Sequence, residues 1–117
     1  MLTFRDTEYS CTSEVTLSLI SGKWKILILS FLAKGTLRFN ELQKLVPDAT
    51  QRMLTLQLRT LEKDGLIART VYAVSPPKVE YTLTEFGQRL VPMLSMLCRF
   101  GADYVEAHGS TAPEPQA

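Results

Sequence analysis

Between Thr50 and Asp64, five side chains of compatible chemistry recur at helical spacing: Arg52, Thr55, Leu56, Arg59 and Lys63. On a helix they share one face, while Leu54, Leu58 and Leu61 fall in a narrow arc opposite and should point to a core. Three cations, a hydroxyl and a leucine, with no acid among them, suit the major groove of duplex DNA. There Arg reaches guanine edges or phosphates, and an apolar group meets a thymine methyl. The same spacing also describes a solvated helix face. A second reactive group is Cys11, just before a predicted helix whose start lowers a thiol's pKa and makes it more reactive. Catalytic chemistry is otherwise missing. His108 is the only histidine, no glycine-rich loop could cradle a phosphate, and no carboxylates gather around a nucleophile. No enzyme, cofactor or metal is therefore expected.

Local signals set the elements that would position that face. Asn40 is the predicted cap of a helix over Phe39 to Val46, on which Leu42, Leu45 and Val46 share a side, and Pro47 stops it. Asp48 and Ala49 make a short turn. Thr50 caps the next helix, which runs to about Asp64, where Gly65 supplies a left-handed terminating residue. This is the spacing of a helix-turn-helix. Two runs rich in β-branched and aromatic residues follow, Leu66 to Tyr72 and Lys78 to Leu83, joined by Ala73, Val74, Ser75, Pro76 and Pro77. Consecutive prolines belong at a tip, with Lys78 at its base, so the pair reads as a wing or as a surface hairpin protected from aggregation. The predicted fold is mainly α with a small β wing, a winged helix-turn-helix. A helix from Lys23 to about Leu32, dense in large apolar residues, is its buried centre. Trp24 on it is either core or the wall of an effector pocket.

The final helix, about Glu85 to Ala107 with Thr84 as its cap, is longer than the core of so small a domain requires. It sets Leu90, Leu94, Leu97, Gly101 and Tyr104 along one side, with Val91, Met93 and Phe100 nearby. Pro92 is expected to delay its start or bend it. A helix over Glu14 to Ile20 is a second apolar element outside the reading head. Both need cover, so N- and C-terminal helices are expected to form a homodimer, although the stripe would also fit its own domain. Two reading helices about 34 Å apart then meet successive major-groove faces.

Charge separates in the same way. The net is only +1, but Lys23 to Lys78 holds ten cations against four acids, and the rest of the 117 residues three against eight. A basic reading segment with acidic flanks should bind phosphate in a salt-sensitive manner. No apolar run is long enough to cross a bilayer and no secretion signal leads the chain, so a cytoplasmic protein is expected. In that reducing compartment Cys11 and Cys98, far apart and without metal-binding spacing, should not form a structural disulfide. Cys98 reads as a small buried hydrophobe. The organisation expected is an arm over 1–10, a winged-helix and dimerisation domain over 11–108, and a disordered tail over 109–117.

These pieces resemble a known family, the HxlR-type regulators, a branch of the MarR-like winged-helix transcription factors. The matching residues are Cys11; Leu19 to Lys25 (LISGKWK); Leu37 to Leu42 (LRFNEL); Met53 to Ile67 (MLTLQLRTLEKDGLI); and Pro76 to Thr84 (PPKVEYTLT). Together they cover about Cys11 to Tyr104. The resemblance implies a homodimer on a roughly palindromic operator, acting as repressor or activator. The helix that begins at Thr50 and Gln51 would enter the major groove, the loop around Pro76, Pro77 and Lys78 would reach the backbone or minor groove, and Lys23 and Arg38 would touch phosphate. Some members sense oxidants, electrophiles or aldehydes through an N-terminal cysteine, which makes Cys11 the candidate sensor here; packing at the dimer interface is the alternative. One departure is Thr12, where the family often has proline. A different class of function stays open as well, a winged-helix module that binds protein through the face carrying Leu56.

Overall fold

In a computed structural model that describes residues 1–109, ten elements follow in order: β1 (Leu2–Phe4), β2 (Thr7–Tyr9), α1 (Thr12–Ile20), α2 (Lys25–Leu32), β3 (Leu37–Arg38), α3 (Phe39–Leu45), α4 (Gln51–Lys63), β4 (Ile67–Tyr72), β5 (Lys78–Leu83) and α5 (Glu85–Ala107). The expected tail lies outside the described residues, apart from Gly109. No single described helix is long and apolar enough to cross a membrane.

The core forms where the apolar faces of α2, α3 and α4 meet the wing sheet and α5. Ile28, Leu29, Leu42, Leu54 and Leu61 are completely buried, and Ile20, Leu32, Leu58, Ile67 and Leu94 nearly so. Burial of a leucine or isoleucine stabilises by roughly 1.5–3 kcal/mol per side chain, so this cluster fixes where the remaining faces of α4 point. Trp24 belongs to the core at 8% exposure. It also edges an open hollow of about 350 Å³ with Leu27, Phe31, Val46 and Pro47.

Helix ends explain the junctions, and two differ from expectation. Strand β3 runs straight into α3, so Arg38, not Asn40, is the extended N-cap residue; the Glu41 carboxylate accepts its N–H at 2.8 Å and Asn40 lies inside the first turn. Helix α2 begins at Lys25, because Gly22 (φ +108°) and the cap residue Trp24 occupy the turn before it, and this leaves Lys23 in the connection. Thr50 caps α4 as expected, accepting the Met53 N–H at 3.1 Å. At its far end Gly65 (φ +77°) closes the helix: the Gly65 N–H reaches Glu62 O and the Leu66 N–H reaches Leu61 O, both at 3.0 Å.

The wing sheet has the order β3-β5-β4, antiparallel throughout, with Leu37 opposite Tyr81, Arg69 opposite Tyr81 and Tyr72 opposite Lys78. Thr84 then ties the reading head to α5. Its hydroxyl donates to Gly65 O at 2.6 Å and accepts the Gly87 N–H at 3.1 Å. Gly87 is buried where the first turn of α5 packs on Leu66, and a Cβ there would collide with the Leu66 carbonyl oxygen. Gly87→Ala should therefore destabilise the domain by about 2 kcal/mol, a fall of roughly 10 °C in melting temperature; an unchanged thermal transition would contradict this packing. Helix α5 does not start late: Thr84 caps it at Glu85 and it runs through Pro92 to Ala107, Pro92 being exposed and forgoing the bond to the Gln88 carbonyl.

The first ten residues are not a bare arm. They form the β1-β2 hairpin, with Arg5 (φ +51°) and Asp6 (φ +63°) as a two-residue left-handed turn. The Arg5 guanidinium lies over the Phe4 ring and donates to the Asp64 carboxylate at 2.6 Å. That fastens the hairpin to the cap residue at the end of α4.

Candidate nucleic-acid interface

Three of the leucines of α4 are consumed by the core, and this forces its other face outward. Gln51, Arg52, Leu56, Arg59 and Lys63 are exposed and Thr55 half-buried. Gln51, Arg52, Thr55, Leu56 and Arg59 together line one broad surface hollow. The Thr55 hydroxyl donates back to Gln51 O at 2.8 Å, so toward a ligand it offers its acceptor lone pairs.

Beside this face lies a groove of about 440 Å³ between α4 and the wing. Gln51, Thr55 and Arg59 form its helical wall, while Phe39, Val79 and Tyr81 are its apolar floor. Arg69 rises from β4 into the same groove, with Glu62 the one acid on its lining. Arg69 is the residue that sequence reasoning missed, because along the chain it is only one more cation in a strand. The register sets it opposite Tyr81, on the same side of β4 as buried Ile67, and it lines the groove together with Arg59 and Tyr81. A period-two reading of β4 anchored on Ile67 is the signal that could find it.

The other expected DNA contacts are distributed around this centre. Lys63 is exposed in the last turn of α4, outside the groove lining. Arg38 is exposed next to Phe39 of the groove floor. Lys23 is exposed in the connection before α2, its ammonium 4.8 Å from the centre of the Trp24 ring. Lys78 stands at the base of the wing loop but is only half-exposed. It is 3.4 Å from the Glu80 carboxylate and 4.9 Å from the Tyr72 ring centre. The same carboxylate, close to the Tyr72 phenol, holds its pKa above the usual value. Lys78 is thus partly neutralised, whereas Arg52, Arg59 and Arg69 have no salt-bridge partner among the described residues.

Cys11 is exposed at the N-cap of α1. The Ser13 hydroxyl donates to its sulfur at 3.1 Å and, with the Ser13 backbone, pulls the thiol pKa below its usual value; the nearby Glu14 charge opposes this weakly. The Glu14 carboxylate is itself engaged, accepting from the Ser10 hydroxyl at 2.8 Å and from the Ser10 and Cys11 amides at 3.0 and 2.9 Å. Those bonds, the Ser10 hydroxyl first, lower its pKa.

The apolar stripe expected on α5 divides. Leu94, 2% exposed, is core of its own domain and is not left for a partner, while Leu90 is half-buried against the same cluster. Leu97, Phe100 and Tyr104 are 46, 70 and 54% exposed, and Gly101 lies open among them. Met96 and Phe86 on α5 and Leu17 on α1 are exposed too. Cys98 is half-buried at the edge of a cavity between α2 and α5, not sealed in the core.

Residues 19–109 match the family described as HxlR-like helix-turn-helix. A relative in Methanothermobacter thermautotrophicus, named an uncharacterised HTH-type transcriptional regulator, is 50% identical over 111 residues, which cover 92% of this chain and 85% of that protein. Among solved structures, the redox regulator HypR in its reduced form superposes with a TM-score of 0.80 at 46% identity, over 84% of this chain and 97% of that one. In its oxidised form the TM-score is 0.76 at 49% identity, over 80 and 96%. The reduced form of the transcriptional regulator YodB from Bacillus subtilis gives 0.74 at 31% identity, over 86 and 98%. The family is one of transcriptional regulators and not of enzymes. By its family match, its relatives and its winged-helix architecture, this chain belongs to the HxlR-like helix-turn-helix family of DNA-binding transcriptional regulators.

Proposed function

We propose that the chain is a homodimeric, sequence-specific regulator, a repressor on a roughly palindromic operator, which reads DNA through α4 and the groove beside it. The observation that carries this is the exposed trio Arg52, Arg59 and Arg69, without salt-bridge partners among the described residues, the first two on a helix face held by buried Leu54, Leu58 and Leu61 and the third on the strand beside it. Arg52, Thr55, Leu56 and Arg59 meet base edges, Thr50 and Gln51 approach them from the first turn, and Lys63, Lys23 and Arg38 meet phosphates. The wing loop with Lys78 follows the backbone or minor groove. Fluorescence anisotropy on the duplex upstream of its own gene tests the reading. Binding should persist against random competitor and weaken steeply with salt.

Cys11 supplies the response to oxidants or electrophiles. Its exposure and its hydrogen bond from Ser13 support this role, as do the two redox forms in which the similar HypR has been solved. Mild thiol oxidation should change operator affinity by roughly 5- to 150-fold, the usual range of coupling between two sites. Cys11→Ser should abolish the change; an oxidation response that survives this substitution would remove Cys11 as sensor. Ser13→Ala takes away the hydrogen bond that favours the thiolate, so the thiol pKa should rise and alkylation by iodoacetamide at neutral pH should slow. The two proteins should converge at a pH above both thiol pKa values. Equal rates at neutral pH would show that Ser13 does not tune the sulfur.

A further inference from the structure

Beyond Arg69 the wing carries an uncharged run, Thr70 to Pro77 (TVYAVSPP). The pairing of β4 with β5 sorts the wing's side chains onto two faces, because they alternate along each strand and directly opposed residues share a side. Arg69 with its partner Tyr81, and Val71 with its partner Val79, lie on the face toward α4; Arg69, Val79 and Tyr81 all line the groove beside that helix. Thr70 with Glu80, and Tyr72 with Lys78, occupy the opposite face. The wing's second cation, Lys78, is therefore on the side turned from the reading helix, where it pairs with Glu80 at 3.4 Å and packs over the Tyr72 ring.

What the wing extends past Arg69 on the α4 side is apolar. Val71 and Val74 are 54 and 56% exposed, Pro76 and Pro77 are exposed too, and the Val74 N–H is already spent on Tyr72 O at 2.9 Å. Neither proline has an N–H and no side chain of the tip is charged, so the tip is poorly suited to phosphate. A contiguous exposed apolar strip marks an interaction surface. This one continues the groove that α4 and Arg69 begin, and Tyr72, three strand residues past Arg69, already stands about 10 Å further out. A projection of that kind leaves the major groove for the minor groove beside it, a cleft about 6 Å wide that admits a thin loop but not a helix. Apolar side chains, proline among them, are established occupants of that groove in other proteins.

We infer, on the DNA-reading role proposed for α4, that Val71, Val74 and the Pro76-Pro77 tip pack against the sugars of the minor groove flanking each half-site. The wing then strengthens binding by apolar burial, which salt does not screen as it screens phosphate contacts. Lys78 supports the wing from its outer face instead of touching phosphate.

The experiment is fluorescence anisotropy of the full-length protein, in a salt series, on two duplexes. One is the sequence that the wild-type protein enriches from a randomised library, with a flank of about one helical turn, roughly 10 base pairs, on each side; the other is trimmed to the two half-sites. Val71→Ser with Val74→Ser should bind the long duplex at least about tenfold more weakly than the wild type. The factor should be the same at every salt concentration and the melting temperature unchanged, since both side chains are exposed. On the trimmed duplex the two proteins should bind alike. Lys78→Met should keep the wild-type slope of log affinity against log salt, whereas loss of a phosphate contact would reduce it by about one unit. Wild-type affinity in the valine variant would assign the strip to a protein partner and overturn the inference. A slope reduced by about one unit in Lys78→Met, or an equal loss for the valine variant on both duplexes, would overturn it as well. A wild-type protein that enriches no sequence would overturn the reading role of α4, and the wing contact with it.

Discussion

Reversing two charges, Arg52→Glu with Arg59→Glu, should abolish specific operator binding while the protein remains folded and dimeric. Both side chains are exposed and neither makes a salt bridge among the described residues, so their removal costs the fold nothing of substance. In the complex each is worth about 2 kcal/mol as a base or phosphate contact, so losing two weakens binding by about a thousandfold. Repulsion from phosphate deepens the loss, and a dimer suffers it twice. Circular dichroism and sedimentation establish that the variant is intact, and anisotropy measures the loss. Arg69→Ala should cost less, about tenfold, and reduce the salt slope by about one unit if it contacts a single phosphate. Full operator affinity in the double variant would place the reading surface elsewhere; Leu56, 58% exposed, would then point to a protein partner.

Leu97→Glu with Phe100→Glu should turn the dimer into a monomer and reduce operator affinity to that of one half-site. The two side chains are 46 and 70% exposed on a helix otherwise anchored through Leu94, so charge there leaves the domain core intact. Burying two carboxylates against a second copy without partners costs several kcal/mol, more than an interface of modest size supplies. Joining two half-site readers raises overall affinity by a factor on the order of 10²–10⁴, and this is the factor that should disappear. Light scattering reads the mass and anisotropy the affinity. A variant that stays dimeric would move the interface off this ridge, toward α1 and its exposed Leu17.

Elements whose boundaries have a local chemical cause were legible in the sequence. Thr50, Gly65 and Thr84 mark helix ends by side-chain or backbone chemistry that operates within a few residues, and α4, the wing strands and α5 lie where those residues place them. What escaped depends on distant contacts. The β1-β2 hairpin has three-residue strands, too short for alternation to register, and its Arg5-Asp6 turn lacks the glycine or asparagine that usually announces left-handed backbone. Part of its anchor is Asp64, remote in sequence. Leu90 and Leu94 look equivalent to Leu97 on a wheel because periodicity gives a face but not its partner, and only the packing of α2 against α5 separates them. Arg69 required the strand register.

The proposed recognition needs two copies of α4, each with its wing, on one specific duplex. Enrichment of bound sequences from a randomised duplex library, with the full-length protein at physiological salt, tests it whatever the sequence of the operator. An inverted repeat should emerge, its half-sites centred about one helical turn, roughly 10 base pairs, apart or a multiple of that. The Arg52→Glu, Arg59→Glu protein should enrich nothing. A folded, dimeric wild-type protein that returns the composition of the starting library would contradict sequence-specific reading by α4.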